Sequence, residues 1–127
     1  MRVLLFGTFD RLHPGHKFIF AEAQKRGELT VIIARDVTVQ RHKGKLPVQS
    51  EKERRAAVHH AVPSARVLLG DYDDYLRPVR ENAPDLILLG YDQALPHGVK
   101  SEDLPCPVER LPAFHPERYK SRLQGND

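Results

Sequence analysis

Two histidines spaced like a phosphate-binding pair, His13 and His16, follow a short apolar run and a glycine near the start of the chain. The apolar residues 3–6 predict a buried strand, Gly7 a tight turn, and the residues around His16 the start of a helix. Positions i and i+3 share one face of a helix, so both imidazoles are expected to aim at one point. Backbone N–H groups and the positive end of the helix dipole favour an anion there, and we expect a polyphosphate.

A transition metal is the other ligand that a His-x-x-His pair suits. A zinc site needs at least three protein ligands, and no third ligand has an evident spacing in this sequence. We therefore expect no metal bound by protein side chains alone. The neighbouring Thr8 offers a hydroxyl donor in the same turn, while Asp10 either orients a histidine or caps the turn, with the structural role favoured.

Groups that donate hydrogen bonds to phosphate, placed at such a turn, suit the transfer of a nucleotidyl group. In that reaction an acceptor oxygen attacks the α-phosphorus of a nucleoside triphosphate and pyrophosphate leaves. Positioned donors do most of the work, and no covalent nucleophile is needed. His13 and His16 suit this role towards the α- and β-phosphates. Lys43 and Lys45 lie in a polar, glycine-containing stretch, residues 41–47, that we expect to be a mobile loop, with one of the two lysines contacting phosphate.

Alternating apolar runs and amphipathic stretches predict the elements that hold these residues. The predicted strands are residues 3–6, 29–34, 66–69, 86–89 and 108–111, and the predicted helices are residues 16–25, 51–61 and 75–82. Ser50, with Glu53 three residues later, is a capping-box signature for the second helix. The first four strands are nearly continuous apolar runs, as in strands buried on both faces. The order β-α-β-α-β-α-β then predicts an α/β fold, a doubly wound parallel five-stranded sheet of the Rossmann-like type.

Sheets of this type bind ligands beyond the carboxyl ends of their strands. Polar residues gather at those ends in this sequence, above all at residues 7–16 after the first strand and residues 90–93 after the fourth. Asp92 is accordingly expected to contact the ribose or the base. Arg54 lies on the second helix, where it either faces the site or forms a surface ion pair with Glu51.

Composition and charge limit the class of protein. The 127 residues are 40% hydrophobic and 29% charged, as in ordinary globular proteins, and we expect one domain spanning residues 1–127. No apolar run is long enough for a signal sequence or a membrane-spanning helix, so a cytoplasmic protein is expected. Lys and Arg outnumber Asp and Glu 13 to 6 in residues 1–66 but are outnumbered 11 to 7 in residues 67–127. The basic half favours an anionic small molecule, and no nucleic-acid-binding motif is present.

The decapeptide at residues 7–16 resembles the G-T-F-D-x-x-H-x-G-H signature of the cytidylyltransferase-like nucleotidyltransferases, which include glycerol-3-phosphate cytidylyltransferases and archaeal FAD synthases. Similarity extends over nearly the whole chain. Residues 43–47 resemble the basic loop of the family. Residues 90–93, Gly-Tyr-Asp-Gln, most resemble the corresponding stretch of the archaeal FAD synthases. A late serine-rich motif of the family resembles residues 119–121, with the departure that Arg122 follows Ser121 where the family has further Ser or Thr residues.

The resemblance implies a nucleotidyltransferase that binds ATP or CTP with Mg²⁺, the ion being held mainly through the nucleotide phosphates, and that forms a homodimer. The catalytic residues it implies are His13, His16, Lys43 and Lys45. The nucleotide-binding residues it implies are Gly7, Thr8, Phe9, Asp10, His13, Gly15, His16, Arg54, Gly90, Asp92, Tyr119, Ser121 and Arg122.

Within the family, the best interpretation is an FMN adenylyltransferase, an enzyme of the FAD synthase type that moves AMP from ATP to FMN. A cytidylyltransferase acting on glycerol 3-phosphate or a similar polyol phosphate is the alternative. A catalytically weakened nucleotide-binding module is a third reading, because Arg122 either supplies a charged donor or weakens the phosphate site. Tyr91, Phe114 and Tyr119 are candidates for stacking on a flavin, although core or rim packing is the commoner role of aromatic residues.

Overall fold

The structure, a computed structural model, describes residues 1–113. The strands are β1 (Arg2–Gly7), β2 (Glu28–Ile33), β3 (Arg66–Leu69), β4 (Leu86–Leu89) and β5 (Val108–Arg110). The helices are α1 (Pro14–Arg26), α2 (Asp36–Lys43), α3 (Glu51–Ala61) and α4 (Arg77–Asn82), and a single 3₁₀ turn spans Ser101–Asp103. Within this part of the chain, no helix combines the length and the apolar character needed to cross a bilayer.

The five strands form one parallel sheet in the order β3-β2-β1-β4-β5. The chain runs outwards from β1 through β2 to β3, then returns to the other side of β1 for β4 and β5. The strand order therefore reverses between β1 and β4, and ligands of doubly wound sheets bind at such a switch point. The prediction of a five-stranded, doubly wound parallel sheet is confirmed.

Helices cover both faces of the sheet because successive side chains of a strand point to opposite sides. Leu5 of β1 belongs to a core cluster with Phe20 of α1 and Val58 of α3. Its neighbour Leu4 belongs to a second cluster with Val79 of α4 on the other face. All five side chains are at most 2% exposed. Burying each of them stabilises the fold by roughly 1.5–3 kcal/mol, so the sheet is a rigid support for the residues at its edge.

Helix α2 is absent from the sequence prediction, and the supposed loop over residues 41–47 is wrong in its first part, since residues 41–43 form the last turn of this helix. Three consecutive β-branched residues, 37–39, give the segment a low helix propensity. A tertiary contact stabilises the start of the helix instead: the N–H of Asp36 donates to Glu51 Oε1 at 2.9 Å. The helix ends at Gly44, whose φ of 80° is the left-handed conformation that glycine adopts most readily.

The remaining elements differ from their predicted bounds by no more than two residues. β3, β4 and α3 match, and the capping box is formed: Ser50 Oγ accepts from the N–H of Glu53 at 3.2 Å and Glu53 Oε1 from that of Ser50 at 3.0 Å. Helix α1 begins at Pro14, two residues earlier than predicted, because proline fits the first helical position, where its missing N–H has no partner to lose. Helix α4 begins at Arg77.

Candidate functional site

The turn after β1 is shaped by Phe9. This ring is 6% exposed, and a Cβ atom on Gly7 would lie 2.5 Å from its Cε2 atom, so only glycine fits at position 7. Phe9 and Arg11 both have left-handed φ angles, 53° and 57°, which residues other than glycine seldom adopt. The buried ring holds this unusual backbone in place and leaves Thr8 at the surface of the cleft above the sheet.

His13 and His16 lie together, as predicted. His13 immediately precedes α1 and His16 is in its first turn, and their rings stack with centroids 3.7 Å apart and planes 20° from parallel. Burial lowers the pKa of His16 to about 4, and the adjacent His13 adds to the shift. His16 is therefore an uncharged imidazole at neutral pH. Its buried Nδ1 atom makes no hydrogen bond within residues 1–113, and an unsatisfied buried nitrogen is a candidate for contact with a ligand.

Asp10 ties the turn to the segment that follows α2. Its carboxylate accepts from the N–H groups of Val48 at 2.8 Å and Gln49 at 2.9 Å, while the N–H of Arg11 donates to Gln49 Oε1 at 2.9 Å. Burial acts to raise the pKa of the Asp10 carboxyl, but the hydrogen bonds from Gln49 and Val48 outweigh it and the pKa is lowered. These contacts support the structural role that the sequence favoured for Asp10.

Arg54 is completely buried beneath the site. Its guanidinium donates to three carbonyl oxygens, those of Thr8 at 2.9 Å, Ala34 at 2.8 Å and Gln49 at 3.1 Å, and forms an ion pair with Asp36 at 2.6 Å. Five donors in a planar fork suit arginine to such a junction. The side chain thus joins the end of β1, the end of β2, the start of α2 and the segment before α3.

The alternative of a surface ion pair between Arg54 and Glu51 is wrong. Glu51 instead pairs with Arg35 at 3.0 Å and accepts from the N–H of Asp36. The reason is geometric: α3 turns the Arg54 side chain into the protein, while Glu51, at the first position of the helix, faces the start of α2. Arg54 is not among the residues that line the cleft, so its predicted nucleotide contact stays a prediction and its observed place is a positioning one.

The turn after β4 is held by two residues whose role the sequence did not reveal. The side chain of Gln93 donates to the carbonyl of Phe6 at 2.7 Å and accepts from the N–H of Gly90 at 3.1 Å. Arg110 donates to the carbonyls of Gly90, Tyr91 and Gln93 at 2.7–3.2 Å. The ends of β1, β4 and β5 are therefore fastened together at the switch point, which fixes where Gly90 stands relative to the turn of β1.

An open cleft of about 1380 Å³ extends over the carboxyl edge of the sheet. A residue at or just past the end of every strand lines it, namely Gly7, Ala34, Gly70, Gly90 and Leu111. The predicted site residues that line it are Gly7, Thr8, Phe9, Asp10, His13, Gly15, His16, Lys43, Lys45, Gly90 and Asp92. The predicted Tyr119, Ser121 and Arg122 lie outside the described residues, as do Phe114 and the rest of the late motif.

Tyr91, one of the candidates for stacking, lines the same cleft, and so do the rings of His42, Tyr75 and His97, which contact one another. The sequence offered no signal for the last three, because they come from α2, from the segment before α4 and from the segment after β4, far apart along the chain. Their mutual contacts arise only when β2, β3 and β4 are brought into one parallel sheet with their carboxyl ends at the same edge.

Comparison with known proteins identifies the family of the chain. A family model described as cytidylyltransferase-like matches residues 4–105. The chain is 48% identical over 94 residues to the FAD synthase of Aciduliprofundum boonei, and the alignment covers 73% of this chain and 62% of that protein. It is 44% identical over 111 residues to the FAD synthase of Archaeoglobus fulgidus, and the alignment covers 83% of this chain and 80% of that protein.

A third relative, the FAD synthase of Methanosarcina mazei, is 44% identical over 117 residues, covering 87% of this chain and 76% of that protein. Among solved structures, a lipopolysaccharide core biosynthesis protein from Thermoplasma volcanium superposes with a TM-score of 0.79 at 33% identity, covering 90% of this chain and 98% of that one. The predicted similarity to archaeal FAD synthases is confirmed. With its glycine turn and stacked histidines at the end of β1, the chain belongs to the cytidylyltransferase-like family of nucleotidyltransferases.

Proposed function

We propose that this chain transfers the adenylyl group of ATP to the phosphate of FMN, forming FAD and pyrophosphate. The observation that carries the proposal is the 44% identity over 111 residues to a protein named FAD synthase, of which 80% is covered. The cleft supports the proposal, because the glycine turn, the histidine pair and the two lysines, Lys43 and Lys45, all line one cavity at the carboxyl edge of the sheet.

The reaction is an in-line displacement at the α-phosphorus of ATP. A phosphate oxygen of FMN forms the new P–O bond, the bond to the bridging oxygen of the β-phosphate breaks, and pyrophosphate leaves with the electron pair. A phosphate monoester is largely ionised at neutral pH, since its second pKa is about 6, so the attacking oxygen needs no general base. The protein's task is to position the two phosphates and to stabilise the charge that develops between them.

His13 and His16 are proposed to donate hydrogen bonds to the α- and β-phosphates. An uncharged His16 offers one N–H donor, and a polyphosphate beside it favours uptake of a second proton, because a neighbouring opposite charge stabilises the imidazolium. Lys43 and Lys45 are both exposed and both line the cleft, so either ammonium group is available to the phosphates.

Mg²⁺ is proposed to enter with the nucleotide. Three of the described residues lining the cleft are acidic, Asp10, Asp71 and Asp92, and backbone N–H groups already hold the first two carboxylates. In residues 1–113, no three His, Cys, Asp or Glu side chains are grouped to hold a metal ion. This donor set fits an ion bound mainly through phosphate oxygens and water, as is common for Mg²⁺. When bound, the ion would neutralise charge on the leaving phosphates.

A cytidylyltransferase acting on glycerol 3-phosphate or a similar polyol phosphate is the second candidate. The observation that favours it is the 33% identity, at a TM-score of 0.79, to the Thermoplasma volcanium protein described as a lipopolysaccharide core biosynthesis protein. That likeness keeps a second acceptor class open, because the fold alone does not choose between acceptors.

A four-way assay separates the candidates. The full chain is incubated with Mg²⁺ and either ATP or CTP, together with either FMN or glycerol 3-phosphate, and pyrophosphate and nucleotide products are quantified. We expect pyrophosphate and FAD in equal amounts from ATP and FMN. Turnover only with CTP and glycerol 3-phosphate would replace the proposal with the second candidate, and nucleotide binding without pyrophosphate from any pair would indicate a module without turnover. The cytoplasmic location and the homodimer expected from the sequence stay predictions.

A further inference from the structure

Three rings meet in the cleft at a place the histidine pair of α1 does not occupy. The ring of His42, from α2, stacks on the ring of His97 with centroids 4.3 Å apart and planes 24° from parallel. The ring of Tyr75 contacts His42 edge-on at 5.7 Å, and its hydroxyl lies 2.8 Å from His42 Nε2. We call these three residues the ring cluster.

The ring cluster lines the same cleft as the histidine pair of α1. Its members follow three different strands, β2, β3 and β4, and all three line the cleft. His42 and His97 are exposed, so the ring surface that their mutual stacking leaves uncovered is accessible to a ligand. The cleft of about 1380 Å³ exceeds the roughly 300–1,000 Å³ typical of a pocket for one small ligand. It therefore has the capacity for a nucleotide and an acceptor together.

The tyrosine of the ring cluster is held in place by a neighbouring arginine. Arg41 donates to the hydroxyl of Tyr75 and to the carbonyl of Tyr72, both at 3.1 Å, which fixes the tyrosine. Partial desolvation lowers the pKa of His42, and the neighbouring His97 and Arg41 lower it further, which favours the neutral form of the ring. Neutral rings stack well on other flat rings. Lys43, the next residue after His42, lines the cleft and offers a positive charge for a phosphate attached to such a ring.

We propose that the ring cluster binds the flat heteroaromatic ring of the acceptor, the isoalloxazine of FMN, by stacking. The inference rests on the proposed function and deepens it by naming the residues that select the acceptor. A polyol phosphate has no ring to stack, whereas a tricyclic ring gains from each aromatic face that it covers. The ring cluster thus favours a flavin over a polyol phosphate on grounds independent of sequence similarity.

The test compares two substitutions of His97, one that removes its ring and one that keeps a ring. His97→Ala removes one ring of the stacked pair, and we expect the KM for FMN to rise about ten-fold, the size expected for loss of one stacking contact, with the KM for ATP unchanged. His97→Phe keeps a ring without its nitrogen atoms, and we expect it to restore FMN affinity. His60→Ala is the matched control, because His60 is an exposed histidine on α3 that does not line the cleft.

A binding measurement separates this proposal from the proposed function. FMN fluorescence, which stacking on aromatic rings quenches, is titrated with wild type and each variant, and no turnover is needed. Quenching by wild type and His97→Phe that is lost in His97→Ala supports the ring cluster even when no FAD forms, an outcome that overturns only adenylyl transfer. FAD formation with an unchanged KM for FMN in His97→Ala overturns the ring cluster and keeps the function. Equal changes in both KM values, or no quenching by wild type, overturn the ring cluster as well.

Discussion

At the residue scale, the candidate site depends on how its side chains are buried. His16 is packed against His13 and edge-on to Phe9, whose ring centroid lies 5.3 Å away, and this surrounding lowers its pKa to about 4. A donor held in a fixed orientation costs little reorganisation when charge develops on a phosphate oxygen. Arg54 is the opposite case, a charge with no exposure whose donors are used by the protein itself.

His16→Ala is expected to lower kcat by roughly 10²–10³-fold, the usual loss when one donor to a developing oxyanion is removed. The rate is measured as pyrophosphate release at saturating ATP and FMN. His59→Ala, an exposed histidine on α3 away from the cleft, serves as the control and should leave kcat unchanged. Near-normal turnover of His16→Ala would remove this residue from the mechanism.

Arg54→Lys is expected to lower the free energy of unfolding by about 3 kcal/mol, because one ammonium group cannot replace a buried fork that serves three carbonyls and a carboxylate. Urea denaturation followed by circular dichroism measures the change. Arg55→Lys is the control: Arg55 is exposed, donates one hydrogen bond to the carbonyl of Val67, and should change stability by no more than about 0.5 kcal/mol. Equal small effects of both substitutions would show that Arg54 does not hold the site together.

At the scale of elements, helix α2 and the segment after it bring the basic residues to the cleft. The start of α2 is fixed by Glu51 and Arg54, and the left-handed Gly44 turns the chain back at its end. From there the chain reaches residues 48 and 49, whose N–H groups the carboxylate of Asp10 binds. The segment between α2 and α3 is therefore anchored at both ends, with the turn of β1 as one anchor.

Lys43→Ala and Lys45→Ala are expected to differ, with the larger loss at Lys45. Lys43 is in the last turn of α2, where a positive charge also favours the carboxyl end of the helix dipole, whereas Lys45 lies in the segment tied to the turn of β1. Steady-state kinetics should show a raised KM for ATP or a lowered kcat for Lys45→Ala. Lys52→Ala, on the exposed side of α3, is the control. Wild-type kinetics for both cleft lysines would mean that neither contacts phosphate.

At the scale of the whole molecule, the strand order decides where the cleft lies. The reversal between β1 and β4 puts the turn of β1 next to Gly90, and Gln93 bridges the two by donating to the carbonyl of Phe6. A ligand that fills the cleft touches segments following several strands, so it stabilises the folded chain as a unit. Ligand binding then appears as an increase in the free energy of unfolding.

ATP with Mg²⁺ is expected to raise the free energy of unfolding by about 2.7 kcal/mol at 100 times its Kd, and CTP at the same concentration by less. Urea denaturation with each nucleotide and without any measures the difference. A larger stabilisation by CTP would contradict the adenylyl proposal and favour the cytidylyltransferase. Stabilisation by neither would exclude both nucleotides as ligands of the cleft.

The sequence by itself determined the parts of this protein that depend on short-range pattern. The strands β3 and β4 and the helix α3 follow from continuous apolar runs and a capping box, and each involves residues within a few positions of one another. The turn at residues 7–16 could equally be predicted from the sequence. The glycine indicates a tight turn, and two histidines three residues apart indicate a site for phosphate.

Only the tertiary structure decided which distant residues share the site. Helix α2 forms against its own propensity because Glu51 and Arg54 hold its start, and Arg54 lies beneath the cleft because α3 points it inwards. The ring cluster and the bond from Gln93 to Phe6, 87 residues apart, exist because parallel strands bring their carboxyl ends to one edge. Contacts of that range depend on strand order, which no local pattern encodes.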